Sequence, residues 1–230
     1  DQQGQPLFGL TMVENIDQEK HAEARRQMQE AAQKAALVRE VHHRIKNHLQ
    51  GVVGLMRQNA QKNSLCSSAI EEAITQINVV ATIHGLQGKD TGEEIDLLQM
   101  LTAISHGLRD FLPALFDHPI RVAGKLALYL NRDESVPIAL ALNELMINAA
   151  KHGNGPMEIS LQLSSGRALI RIENHCRETA AGIQPGSGLE LVNALLQAEG
   201  ASFRHECRDQ RFLAEIILTP PVIQVHRETA

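Results

Sequence analysis

Tryptophan is absent from this 230-residue chain, and aromatic residues of any kind make up only 3% of it. Its interior must therefore be aliphatic, built from Leu, Ile, Val, Ala and Met. Cysteine is scarce. Cys66, Cys176 and Cys207 are odd in number and widely spaced, which suggests neither a disulfide framework nor a zinc knuckle. Free thiols in a reducing compartment are the expectation. No apolar run approaches the ~18 residues of a membrane span, and no secretory leader opens the chain. A cytoplasmic fragment without direct membrane contact is expected. Because the first residue is Asp1 and not Met, an anchor or sensor further upstream stays open. Basic excess is missing too. The net charge of -5 disfavours a nucleic-acid partner, which needs a cationic face to displace counterions.

Proline is missing from the long stretch between Asp17 and Lys62, where the only glycines are Gly51 and Gly54. Asp17 can cap a helix here, with Glu19 in its first turn. Ala24, Met28, Ala31, Ala35, Val38, His42, Ile45, Leu49, Val52 and Met56 then alternate steps of four and three. That is a heptad seam, the mark of a coiled coil or helical bundle. Asn63-Ser64 breaks it. Ile70, Ile74, Ile77, Ala81 and His84 resume the rhythm to about Leu86. Two helices with a short turn form an αα-hairpin. A single hairpin cannot bury both its faces, so a homodimer with a four-helix bundle is expected. Ahead of it, Leu7 to Val13 reads as a strand.

Past the glycine-containing linker Gly85–Glu94 the rhythm changes. Helices are expected near 97–111, 135–152 and 188–199. Strands are expected at Ile120–Val122, Leu126–Leu130, Met157–Leu163, Ala168–Glu173, Ala201–Glu206 and Phe212–Leu218. The fold class is therefore α+β: a long-helix hairpin, then an α/β sandwich with helices on one sheet face.

The heptad phase separates two adjacent histidines. His42 falls on the seam, and His43 lies one position round it, facing solvent. A histidine that accepts a phosphoryl group needs an exposed nitrogen, so His43 is the better nucleophile; neutral imidazole is competent near pH 7. Glu40 at i−3 and Asn47 at i+4 share its helix face. Glu40 could orient the ring or take its proton, and Arg44 and Lys46 supply positive charge for a phosphate. A plain solvated face stays open as an alternative. On the helix 135–152, Glu144, Asn148, Lys151 and His152 recur on one face. A carboxylate, an amide and a cation together suit a magnesium nucleotide: Asn148 for Mg²⁺, Lys151 for phosphate oxygens, Glu144 as base or orienting group. An amphipathic surface helix is the rival reading. Gly186-Ser-Gly188-Leu189 precedes an apolar helix, where backbone N–H groups can approach phosphate; a plain loop is the rival there.

Taken in order, these segments resemble known boxes. Val41-His-His-Arg-Ile-Lys-Asn-His-Leu-Gln50 resembles the H-R-x-K-N phosphoacceptor box of sensor histidine kinases related to the HWE group, which implies that His43 is phosphorylated. Leu142 to Gly153 resembles the N box of Bergerat-fold ATPases, with Asn148 as the implied Mg²⁺ ligand. Gly186 to Val192 resembles the G2 box. The adenine-binding Asp of that superfamily is replaced by Asn174, which keeps a hydrogen-bond acceptor but loses its charge. Asp1 to Glu23 resembles the exit of a PAS domain.

The resemblance implies a PAS strand at 1–16, a signalling coiled coil at 17–36, a dimerisation and phosphotransfer hairpin at 37–88, a catalytic ATP-binding domain at 93–220 and a tail at 221–230. It implies ATP and Mg²⁺ as nucleotide and metal, a homodimer, and a response regulator receiver domain as partner. Autophosphorylation on His43 and transfer to that regulator is the implied activity. Asn174 motivates a second reading, a dimeric phosphotransfer or scaffold protein with a degenerate nucleotide domain.

Overall fold

The computed structural model describes residues 17–62, 67–88, 94–109, 120–123, 127–164, 166–175, 187–208 and 210–226. The strand expected at 7–13, the PAS resemblance before Asp17 and Gly186 lie outside these. The chain divides into two compact units, 1–38 and 39–230. What is described of the first is the opening of helix α1 (Asp17–Lys62). There Arg26 pairs with Glu30 one turn on, 3.0 Å away, and Met28 and Leu37 are exposed.

The second unit holds the rest of α1, then α2 (Ser67–Gln87), β1 (Glu94–Asp96), α3 (Leu97–Arg109), β2 (Arg121–Ala123), β3 (Ala127–Asn131), α4 (Arg132–His152), β4 (Glu158–Ser164), β5 (Arg167–His175), α5 (Ser187–Leu195), β6 (Ala201–Arg208), β7 (Arg211–Leu218) and β8 (Ile223–His226). One sheet has the order β1-β3-β8, the other β2-β4-β5-β7-β6. All pairs are antiparallel except β2 with β4.

Local chemistry sets the helix starts. Asp96 Oδ1 accepts the Gln99 N–H at 2.7 Å, capping α3. Asn131 Oδ1 accepts the Asp133 N–H at 3.4 Å, and Asp133 and Glu134 follow in the first turn of α4, where the helix dipole favours them. Alternation along β5 turns Ala168, Ile170, Ile172 and Asn174 to the core. Ile170 and Ile172 each contribute roughly 1.5–3 kcal/mol by burial. On the other sheet face Arg171, Glu215 and Arg204 sit side by side in register. Burial pushes the Glu215 carboxyl up, but hydrogen bonds from Arg171 and Arg204 outweigh it and hold it low.

Helix α4 is buried from Ala141 through Ile147 on every side. It is not an amphipathic surface helix, because α2 and α3 pack on it as well as β3, β5 and α5. Two short strands depart from the sequence reading. β1 begins in the expected linker. β8 begins in the expected tail: Val222 and Ile223 are buried, and Ile223 pairs with Leu130.

Candidate functional site

His43 is exposed on α1 and His42 is half-buried, as their positions around the seam require. One His42/His84 ring donates to the other across 2.9 Å between Nδ1 atoms, joining α1 to α2. Burial, with Arg132 adding to it, holds both rings below the ordinary histidine range. The pair therefore stabilises the fold above pH ~6.5, and that contribution is lost as pH falls through the lowered values. Beside His43, Asn47 is exposed. Glu40 Oε1 accepts from Arg44 Nε at 2.8 Å, so its carboxylate is engaged along the helix by Arg44. Lys46 turns the other way and lies against Gly85, its Nζ 3.6 Å from where a Cβ would stand.

The second group forms around α4. A Cβ on Gly188 would collide with Glu144 Oε1 and stand 2.9 Å from Asn148 Nδ2. Only a residue without a side chain lets the start of α5 reach α4 here. Leu189, buried next to it, anchors that start in the core. Glu144 is buried, and its Oε2 has no hydrogen-bond partner. Burial first, then Glu72, pushes its carboxyl above the usual carboxylate range; Lys151 and Asn148 oppose this.

Asn174 is delivered to the same end of α4 by the β5 alternation. Its Nδ2 donates to Ala149 O at 2.9 Å, while its buried Oδ1 has no partner. Gly153 lets the chain pass here, since a Cβ would collide with Ala149 O and Asn174 Nδ2. Lys151 Nζ lies 3.0 Å from Glu72 Oε2 on α2, and His152 is exposed. Glu72 carries no sequence signal, because it meets this group from 79 residues away.

The arrangement thus gathers Glu144, Asn148, Lys151, Asn174, Gly188 and Leu189, and keeps His43 apart from them. The start of α4 is tied to Gln87, which donates to Arg132 O at 3.3 Å and to Ser135 Oγ at 3.1 Å. Gln87 lies one turn past His84, the partner of His42. Asn148 is sixteen residues further along α4 than Arg132, roughly 24 Å at 1.5 Å per residue. In-line attack needs reacting atoms about 3–3.5 Å apart.

The residues fit a magnesium nucleotide. Asn174 Oδ1 is a buried acceptor without a donor, suited to an exocyclic amino group. The lack of a Gly188 side chain lets the start of α5 lie against Glu144 and Asn148, and a helix start offers N–H groups to phosphate. Among the described residues no cluster of three or more His, Cys, Asp or Glu side chains could hold a metal by itself, so a cation here would rest on the Asn148 amide and on phosphate oxygens. No described helix is long and apolar enough to cross a membrane.

A family model described as histidine kinase (HisKA_2) matches residues 40–112. Sensor histidine kinase PdtaS of Mycobacterium tuberculosis is 26% identical over 216 residues, covering 87% of this chain and 42% of PdtaS. PdtaS of Mycolicibacterium smegmatis is 28% identical over 210 residues, covering 85% and 40%. The chain spans less than half the length of these relatives. Among solved structures, the histidine kinase domain of the Erythrobacter litoralis EL346 blue-light activated histidine kinase superposes with a TM-score of 0.54 at 17% identity, over 84% of this chain and 94% of that one. That likeness is one of fold.

Proposed function

We infer that this chain is a member of the histidine kinase family, and from that premise we propose that it phosphorylates itself on His43 from ATP and passes the phosphoryl group to a receiver-domain aspartate of a response regulator. The carrying observation is the seating of Gly188 on Glu144 and Asn148 beside the unpaired Asn174 acceptor, in a chain that also exposes His43 on a hairpin.

Asn174 accepts the adenine amino hydrogen. Backbone at Gly186 and Gly188 borders the phosphates, with Leu189 fixing the turn. Asn148 would hold Mg²⁺, which would neutralise phosphate charge. Lys151, once it parts from Glu72, and His152 reach the phosphates, and Glu144 orients the attacking group. A ring nitrogen of His43 bonds to the γ-phosphorus as the bond to the bridging oxygen breaks, and ADP leaves with that electron pair. Glu40 receives the ring proton once it parts from Arg44, and Asn47 lies one turn on, where it can hold a water. The distance along α4 requires that this step run in another arrangement of hairpin and sheet, or on the His43 of a second copy. We further propose a homodimer through the hairpin, with the regulator docking on its 37–88 segment in the cytoplasm. The unpaired Asn174 Oδ1 favours this reading over a degenerate scaffold, whose buried acceptor would have no donor to await.

Incubation with γ-labelled ATP and Mg²⁺ tests it. Acid-labile label is expected in the parent and in His42→Gln, and none in His43→Gln. A folded parent that takes no label would sink the proposal; label lost only in His42→Gln would move the nucleophile.

A further inference from the structure

A cavity of about 550 Å³ lies between α1, α2, α3 and α4, within the size range of small-molecule sites. It is distinct from the nucleotide face, since neither Asn148, Asn174 nor Gly188 lines it. Asn143 of α4 does. This side chain is fully buried, and neither its Oδ1 nor its Nδ2 has a hydrogen-bond partner. A buried polar group without a partner destabilises the fold, and Asn143 leaves two. The amide is poorly explained by folding and well explained by something it meets in the cavity.

Charge narrows what that is. Lys46 and Arg57 of α1 line the space, and no acidic residue does. Among the described residues neither cation has a carboxylate partner within salt-bridge range, whereas Arg26, Arg44, Arg121 and Lys151 each do. The hydroxyls of Thr75 and Thr82, also in the lining, already donate to Glu72 O and Asn78 O. The charged donors are thus the two cations, with the amides of Gln50, Asn78 and Asn143 beside them. Val79, Leu86, Ile104 and Leu108 supply buried apolar wall.

We propose that this cavity binds a small amphipathic organic anion: its acidic group held by Lys46 and Arg57, its apolar body against α2 and α3, and a hydrogen-bonding group on Asn143. An occupant touches all four helices and so ties the hairpin to the sheet domain.

The probe is 8-anilinonaphthalene-1-sulfonate, an apolar body with a sulfonate and an N–H, titrated into the full chain by fluorescence. N-phenyl-1-naphthylamine, the same body without the charge, is the control. One saturable site per chain is expected for the sulfonate, with at least tenfold weaker binding of the neutral control. Arg57→Gln combined with Lys46→Gln should weaken the sulfonate at least tenfold. Asn143→Leu should weaken it also while leaving the melting midpoint equal or higher. Equal binding of the neutral body, or unchanged binding by the double variant, would overturn the site. A lowered melting midpoint in Asn143→Leu would return the amide to a folding role and overturn it as well.

Discussion

A carboxyl buried against another carboxylate is a poor choice for stability. Glu144 has a folded pKa above its unfolded value, so the native state binds the extra proton. Its contribution is present at low pH and lost as pH rises through the folded value. Glu144→Gln removes that loss. The variant should be more stable than the parent at pH ~7.5 by about 1 kcal/mol or more, given a buried oxygen without a partner. The gap should close as the melt is repeated toward pH ~4, and phosphorylation of His43 should fail. A gap independent of pH would mean that the group does not titrate in this window. Asn174 offers the opposite trade. Asn174→Asp cannot donate to Ala149 O, so the urea midpoint should fall by the equivalent of about 1–3 kcal/mol. The added charge on the adenine contact should tighten ATP, measured by calorimetry. No change in either quantity would contradict the geometry. At this scale the exposure of His43 was legible because a heptad seam gives each residue an angle. Glu72 and Asn143 were not legible, because their importance comes from what other helices bring to them.

Between α4 and α5 the contact is set by the lack of one atom. Gly188→Ala adds a methyl that must displace Glu144. It should reduce nucleotide affinity at least tenfold while leaving the α1–α2 hairpin intact, as read by ATP titration beside circular dichroism. Unimpaired binding would show that α5 can shift. Most elements were legible here, since long periodic segments report their own type: α1, α2, the β4–β5 pair and the β6–β7 pair follow from apolar rhythm. β1 and β8 did not stand out. They are three and four residues long, too short for a period, and both are organised by β3. The all-round burial of α4 was also hidden, because its polar residues suggested a wet face that α2 in fact covers.

For the molecule as a whole, the proposal of a dimer rests on what one chain leaves uncovered. Val52 is 44% and Leu55 65% exposed on α1, while Val53 between them is buried. Val52→Glu combined with Leu55→Glu should convert a sedimenting dimer to a monomer and leave the sheet domain folded. A parent that is already monomeric at micromolar concentration would remove the four-helix bundle.

Helix α4 is anchored at one end to Gln87 and at the other to Glu72, and its middle is locked in the core. It behaves as a shaft keyed at both ends. One residue added between Ile138 and Asn143 would turn everything beyond it by about 100°, carrying Asn148 and Lys151 away from Gly188 while Arg132 kept its place. Substitutions along this shaft disturb the packing one side chain at a time, whereas a change of phase would disconnect the two ends at once.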